Sequence, residues 1–190
     1  MGENTGSHKL VILSWEEFFD DVLYLASKLE YNGYDVLVAI ARGGLVVGRL
    51  LSDLLNVKRV TALTIEYYKG VEERGSEPKI VGDLGLNVEG LKVLIVDDVA
   101  DTGVTLKAAV EFLAEKGAES VETCSIYVKP WCSYKPKYFS KMIEGWIVFP
   151  YEHLETSLYF LNSGWSFDQL TRVSFHSKVL EYLHKKLMKT

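Results

Sequence analysis

The sequence of 190 residues is poor in cysteine and carries no excess of basic residues. Its two cysteines, Cys124 and Cys132, do not show the paired spacing of a structural zinc site. So few cysteines favour reduced thiols in the cytoplasm over a disulfide-stabilised secreted protein. The formal net charge of −5 argues against broad nucleic-acid binding, because neutralising phosphates requires a basic surface.

Long apolar runs are also missing. Residues 1–8 are polar, and no later run approaches the length that spans a bilayer. We therefore expect no signal peptide, no membrane partner and a cytoplasmic location. Hydrophobic residues nonetheless make up 48% of the chain and charged residues 25%, which is typical of a globular domain with a buried core.

Apolar segments of strand length alternate with segments of helical periodicity. A capping box at Ser14 and Glu17 begins a helical pattern that ends near Gly33. Short apolar runs predict strands over residues 35–41, 58–67, 92–97, 120–128 and 146–149, with helices over 45–55 and 104–116. This order predicts an α/β fold whose central, mainly parallel sheet is flanked by helices. Ligands in such folds bind at the carboxyl ends of the strands.

The last part of the chain differs in composition. Residues 153–190 follow a helical pattern and are rich in aromatic side chains. We predict a core over residues 9–152 and a helical C-terminal extension over residues 153–190. The extension is expected to form a cap or an oligomer contact, because large apolar surfaces often mark interfaces.

The third predicted strand ends in an unusual run of polar residues. This segment, called the polar run below, spans residues 97–105, and its candidate binding residues are Asp97, Asp98, Asp101, Thr102, Gly103, Val104 and Thr105. The first turn of a helix has unpaired N–H groups and a partial positive charge, so residues 101–105 suit a phosphate monoester. Adjacent carboxylates favour sugar hydroxyls or Mg²⁺ as partners. Ribose 5-phosphate carries the phosphate and the hydroxyls in one molecule.

Residues 93–106, VLIVDDVADTGVTL, closely resemble the donor-binding motif of type I phosphoribosyltransferases. That pattern is an apolar strand, two acidic residues, two mostly apolar positions, a variable residue and then T-G-x-T/S. The resemblance extends over residues 36–152 and implies the fold of that family, with a small hood. Receiver domains of two-component signalling also contain V-L-I-V-D-D, but there the motif opens the domain and no T-G-x-T follows.

The resemblance implies transfer of a 5-phosphoribosyl group from 5-phosphoribosyl 1-pyrophosphate (PRPP) to a base, with Mg²⁺ as cofactor. The polar run from Asp97 to Thr105 would bind PRPP. The segment Ala41-Arg42-Gly43-Gly44 resembles the pyrophosphate loop of the family, which often holds a cis peptide, here between Ala41 and Arg42. The alternative is an ordinary strand-to-helix turn with an exposed arginine.

Residues 69–85 occupy the place of the catalytic flap in the family. Their charged residues and glycines predict a mobile loop or an exposed hairpin. A flap would keep water from the reacting sugar. The alternative is a plain surface excursion, since the segment has no clear signature of the family.

The resemblance also implies a 6-oxopurine acceptor. Lys129 stands where relatives place a lysine against purine O6, and residues 146–152 resemble the W-I-x-x-P-W-D/E pattern of the base site. Trp146 would stack on the base, the Ile147 backbone would meet its edge, and Glu152 would act on Mg²⁺ through water. Structural alternatives are a core Trp146, a solvated strand end at Lys129 and a helix-start acid at Glu152.

Asp101 and Arg42 are the candidate catalytic residues. Asp101 would accept the purine proton, and Arg42 would hold the leaving pyrophosphate. Asp97 and Asp98 would bind the metal mainly indirectly, as would Glu152. The expected function is purine salvage from PRPP and hypoxanthine, guanine or xanthine, in a homodimer or higher homo-oligomer. Adenine as the acceptor, or a PRPP-sensing regulator without catalysis, are the alternatives.

Overall fold

The computed structural model describes residues 9–29, 33–69 and 76–187. The strands in this part are β1 (Leu10–Ile12), β2 (Val36–Ala41), β3 (Val60–Lys69), β4 (Ser76–Val81), β5 (Lys92–Ala100), β6 (Ser120–Val128), β7 (Tyr138–Met142) and β8 (Trp146–Val148). The helices are α1 (Trp15–Leu29), α2 (Gly43–Leu54), α3 (Val104–Glu115), α4 (His153–Asn162), α5 (Phe167–Arg172) and α6 (Ser177–Leu187). None of these helices combines the length and apolar character needed to cross a membrane.

The chain divides into two compact units. The larger unit spans residues 20–143, and the smaller unit combines the described parts of residues 1–19 and 144–190. The predicted boundary after residue 152, and the role of the extension as a cap or oligomer contact, stay predictions.

The larger unit is built on a six-stranded sheet in the order β4-β3-β2-β5-β6-β7. All neighbouring pairs are parallel except β3 and β4. The central strand β2 is VLVAIA, almost wholly buried, as expected for a strand covered on both faces. The predicted α/β fold with a mainly parallel sheet is confirmed.

Strand β5 is longer than the sequence predicts. The predicted end at Asp97 is wrong, because β5 continues to Ala100. Val99 and Ala100 pair with Tyr127 and Val128 of β6, so backbone pairing continues past the two carboxylates. The carboxylates of Asp97 and Asp98 therefore project from a strand that backbone pairing with β6 holds in place.

Strands β3 and β4 form an antiparallel hairpin that pairs from Thr64 and Val81 to Lys69 and Ser76. A mobile loop and an exposed hairpin are the two forms predicted for residues 69–85, and the described part of this segment belongs to a hairpin. Residues 70–75, in the first half of the predicted flap, lie outside the described residues, and the role of the flap stays a prediction.

The smaller unit has its own sheet and core. The predicted strand at residues 146–149 forms β8, which pairs in parallel with β1 rather than joining the main sheet. Its core contains Val148, Leu170, Phe175 and Leu180. The helical pattern predicted from His153 onward is confirmed by α4, α5 and α6, and Ser166 and Gln169 form a capping box at the start of α5.

Candidate active site

Two site segments meet at the carboxyl ends of the neighbouring strands β2 and β5. Residues 41–44 follow β2, and the polar run from Asp97 to Thr105 occupies the end of β5 and the start of α3. A Cβ atom on Gly43 would overlap the Asp98 carboxylate, and one on Gly44 would lie 2.5 Å from the Val96 carbonyl oxygen. Both positions therefore require glycine, and α2 begins at Gly43 rather than at the predicted residue 45.

The two carboxylates of β5 are largely buried, with 9% of Asp97 and 7% of Asp98 exposed. The Asp98 N–H donates to Asp97 Oδ1 at 3.0 Å, and the Val99 N–H donates to Asp98 Oδ1 at 2.8 Å. Burial and the neighbouring charge of Asp98 raise the pKa of Asp97 well above its usual range. Such a carboxyl group is prepared for a partner that compensates its charge, such as a donor hydroxyl or a cation.

A cavity of about 450 Å³ opens beside this carboxylate pair. It is lined by Asp97, Val99, Ala100, Asp101, Thr102, Gly103, Thr105 and Leu106. Gly103 precedes α3 with a left-handed φ of 83°, and the Val104 N–H points to Thr102 Oγ1 at 3.4 Å. The positive end of the α3 dipole therefore faces a pocket with backbone donors and hydroxyl groups, which suits a phosphate group.

The loop at residues 101–105, which precedes and begins α3, is held in place by residues 133 and 134. The Thr102 carbonyl accepts hydrogen bonds from the Ser133 N–H at 3.0 Å, from Ser133 Oγ at 2.9 Å and from the Tyr134 N–H at 3.4 Å. The Tyr134 carbonyl fills the space that a Cβ atom on Gly103 would need. The loop is therefore fixed before any ligand arrives.

Arg42 is the N-cap residue of α2, with φ of −103° and ψ of −39°. Its side chain is exposed, and its carbonyl accepts a hydrogen bond from the Leu45 N–H at 3.1 Å. The peptide bond between Ala41 and Arg42 is cis, as the resemblance implies. Arg42 thus lies at the same sheet edge as the carboxylates.

Lys129 and Asp101 lie next to each other at the ends of β6 and β5, close enough to interact electrostatically. Only 7% of Lys129 is exposed, and its N–H extends the β5–β6 pairing by donating to the Ala100 carbonyl at 2.9 Å. Burial lowers the pKa of Lys129, while the negative charge of Asp101 acts in the opposite direction. Lys129 is therefore not the solvated strand end that the structural alternative describes.

Trp131 belongs to this group and was missed by reasoning from the sequence. Its indole Nε1–H donates to Asp101 Oδ1 at 2.6 Å. The Lys129 ammonium lies 5.9 Å from the centre of the Trp131 ring. The signal available in the sequence was the Lys-Pro-Trp turn directly after a predicted strand.

The remaining predicted base-site residues belong to the smaller unit. The Trp146 ring is half-buried and lies 5.0 Å from the Tyr159 ring and 5.8 Å from the Phe160 ring, between centroids. Ile147 is buried and pairs with Val11. Their roles in base binding stay predictions.

Glu152 is the N-cap residue of α4, where its side chain makes no capping hydrogen bond. This position matches the alternative of a helix-start acid and leaves its metal role a prediction. Among residues 9–29, 33–69 and 76–187, no three His, Cys, Asp or Glu side chains are grouped to hold a metal ion by themselves.

The chain is similar in sequence and fold to known proteins. A family model described as "Phosphoribosyl transferase domain" matches residues 11–156. The chain is 30% identical to a xanthine-guanine phosphoribosyltransferase of Chromohalobacter salexigens, over 76% of this chain and 85% of that protein. It is 34% identical to a hypoxanthine-guanine phosphoribosyltransferase of Staphylococcus aureus, over 64% of this chain and 70% of that protein.

The fold is similar to that of a solved structure, a purine phosphoribosyltransferase from Pyrococcus horikoshii. The TM-score is 0.71 at 36% identity, with 75% of this chain and 93% of that chain covered. The family model, which matches residues 11–156, spans the whole of the larger unit, where the candidate site lies.

Proposed function

Because the chain belongs to the phosphoribosyltransferase family, we propose that it forms a purine nucleoside 5'-monophosphate and pyrophosphate from PRPP and a 6-oxopurine. The acceptor would be hypoxanthine, guanine or xanthine, and the reaction would serve purine salvage. The observation that carries the proposal is one edge of the sheet, where the α3 N-terminus, a carboxylate pair and the Arg42 loop lie together. Relatives named for guanine, hypoxanthine and xanthine support the choice of base.

The donor would lie along β5. Its 5-phosphate would accept hydrogen bonds from backbone N–H groups and hydroxyls of residues 102–105, because this helix start carries the positive end of the α3 dipole and a left-handed Gly103. Asp97 and Asp98 would accept hydrogen bonds from the ribose 2- and 3-hydroxyls. The Arg42 guanidinium and the N–H groups of residues 41–43 would hold the pyrophosphate.

Mg²⁺ fits the oxygen-rich donor set of this pocket, because the carboxylates of Asp97 and Asp101 line the cavity and Asp98 follows Asp97 directly in β5. Asp97 and Asp98 would hold it mainly through the ribose hydroxyls, and Glu152 through water. When bound, the ion supplies positive charge that stabilises the leaving pyrophosphate.

The reaction would proceed by positioning and electrostatics. As the bond from C1 of ribose to the pyrophosphate oxygen lengthens, positive charge develops on the sugar, and the carboxylates of Asp97 and Asp98 stabilise it. Purine N9 attacks C1 and displaces the pyrophosphate. Asp101 accepts the proton that the purine loses, since its exposed carboxylate lies at the rim of the same cavity.

Lys129 would select the base. A buried ammonium donates hydrogen bonds and accepts none, so it favours the oxo group of a 6-oxopurine over the amino group of adenine. The Trp146 ring would stack on the base, and the Ile147 backbone would meet its edge. We further propose a cytoplasmic location. We also propose a homodimer or higher homo-oligomer, and sedimentation of the purified chain tests this oligomeric state.

The decisive assay follows pyrophosphate release from PRPP with Mg²⁺ and hypoxanthine, guanine, xanthine, adenine, uracil or orotate in separate reactions. We expect turnover with oxopurines only. Asp101→Asn should reduce turnover by about 10²- to 10⁴-fold, the range typical of a positioned general base. Asp20→Asn, a neutralised exposed carboxylate on α1, is the matched control and should leave turnover unchanged.

The alternatives give different results in the same assay. Turnover with adenine would contradict the role of Lys129 and retain the family chemistry. PRPP binding without turnover on any base would identify the chain as a PRPP-sensing regulator.

A further inference from the structure

Trp131 interacts with Asp101 and Lys129, the two side chains of the larger unit that the proposed function places against the purine. Its Nε1–H donates to Asp101 Oδ1 at 2.6 Å, and its ring lies beneath the Lys129 ammonium at 5.9 Å. A hydrogen bond to an ionised carboxylate is stronger than one between neutral groups. The indole therefore links the proposed proton acceptor with the proposed base selector.

The backbone fixes the position of the indole. The Cys132 N–H donates to the Lys129 carbonyl at 3.0 Å and closes a turn with Pro130 and Trp131 at its centre. Proline is favoured at the first central position of such turns. On one side the turn is anchored by the hydrogen bond from the Lys129 N–H to the Ala100 carbonyl of β5. On the other side it is anchored by the hydrogen bonds that residues 133 and 134 donate to the Thr102 carbonyl.

The geometry points to Trp131 as a positioning residue for the transfer of the purine proton, an inference that rests on the proposed function. An aspartate carboxylate rotates over a broad range about its terminal torsion, so an exposed one samples many orientations. The indole N–H holds Oδ1 of Asp101 and leaves Oδ2 to accept the proton from the purine nitrogen. The same ring, by its negative face, favours the ammonium form of Lys129.

This arrangement also explains why a large side chain is exposed here. Trp131 is 55% exposed although it follows a buried lysine. Trp15 has the same exposure of 55%, and its ring contacts Phe18 and Tyr151 in the smaller unit. The two tryptophans are therefore a matched pair that differ in their relation to Asp101.

Trp131→Phe retains an aromatic ring beneath Lys129 and removes the N–H donor together with part of the bicyclic ring. We expect kcat with hypoxanthine or guanine to fall by about 10- to 100-fold, the range for loss of a hydrogen bond to a charged group, with KM for PRPP unchanged. Trp15→Phe should have wild-type kcat. Equal kcat for Trp131→Phe and wild type would overturn the inference.

A double-mutant cycle separates positioning from a general structural effect. If Trp131 acts through Asp101, Trp131→Phe should not reduce kcat further in an Asp101→Ala background. Independent, multiplicative losses would overturn the inference, because they would mean that the indole acts by another route.

A readout independent of turnover accompanies the kinetics. In a ¹⁵N-correlated NMR spectrum, the indole signal that Trp131→Phe removes should shift in Asp101→Ala, and the other indole signals should not. An unmoved signal would show that the hydrogen bond is absent and would overturn the inference. A wild-type chain that turns over no base would overturn the proposed function and this inference with it, whereas active wild type with unaffected Trp131→Phe would overturn this inference alone.

Discussion

The backbone of Gly43 and the carboxylate of Asp98 occupy adjoining space, so that a Cβ atom on Gly43 would overlap Asp98 Oδ2. One residue begins α2 after β2, and the other stands near the end of β5. The contact joins the proposed pyrophosphate loop to the proposed ribose-binding carboxylates. Their geometry is therefore set jointly.

Gly43→Ala should displace the Asp98 carboxylate and lower kcat/KM for PRPP by about 10²-fold, since misplacement by about 1 Å has such effects. The measurement is initial-rate kinetics with PRPP varied at saturating purine. Gly48→Ala on the same helix is the control, because its Cβ would lie 3.1 Å from the Ala39 methyl group, away from any carboxylate. Equal losses in the two variants would mean that helix packing, rather than Asp98, is responsible.

Gly103→Ala should destabilise the protein and abolish PRPP binding. A non-glycine residue at φ 83° costs about 1–2 kcal/mol, and here the added Cβ also overlaps the Tyr134 carbonyl. We expect a loss of about 3 kcal/mol or more in the free energy of unfolding by urea. Gly164→Ala, at φ 93° with open space around it, should lose only about 1–2 kcal/mol. Similar losses in both variants would contradict the proposed crowding at Gly103.

Asp97→Asn should stabilise the protein without ligand in a pH-dependent way. The raised pKa of Asp97 means that the folded state binds its proton more readily than the unfolded state does. The stability of wild type therefore falls as pH rises above 3.8, the ordinary value, and through the folded-state pKa. Asn does not titrate and can still accept the hydrogen bond from the Asp98 N–H.

The expected gain in Tm for Asp97→Asn is about 2–4 °C at neutral pH, equivalent to about 1 kcal/mol, and it should shrink as pH falls toward 3.8. Thermal unfolding from pH 4 to pH 9 measures it, with Asp20→Asn as the exposed control. A gain of the same size at every pH would contradict the titration of Asp97 as its cause. Activity should be lost in the same variant.

Lys129→Met should lower kcat/KM for hypoxanthine and guanine by about 10- to 100-fold, because a hydrogen bond from a charged donor to the base is lost. Because burial lowers the pKa of Lys129, wild-type kcat/KM should decline on the alkaline side as the ammonium loses its proton. The variant should lack this decline. Lys107→Met, at an exposed position on α3, is the control. Unchanged oxopurine kinetics in Lys129→Met would contradict the proposed base selection.

The arrangement of the candidate donor site could be predicted from the sequence because its features are local, whereas its role in binding PRPP stays a prediction. A buried strand, two adjacent acids, Gly103 and a helix start are contiguous, and each has a direct physical consequence for a ligand. The placement of residues 41–44 beside them also followed, since parallel strands bring their carboxyl ends to one edge.

Other parts depend on pairings that the sequence does not display. The contact between Trp131 and Asp101 requires β6 beside β5 in the register that pairs Val99 with Tyr127. Strand β1 has only three residues, and its partner β8 lies far along the chain, so its short pattern carries little signal. The length of β5 was underestimated because charged residues are uncommon in buried strands.

The strand order has a consequence for synthesis on the ribosome. Strand β2 leaves the ribosome well before β5, the neighbour that completes its second edge. At about 5–20 residues per second, synthesis of residues 42–92 leaves that edge of VLVAIA uncovered for about 3–10 s. An unpaired apolar edge invites pairing with other chains. A lower expression level, which keeps the concentration of unfinished chains low, should therefore increase the yield of soluble protein. The need for chaperones should be greatest between the synthesis of β2 and that of β5.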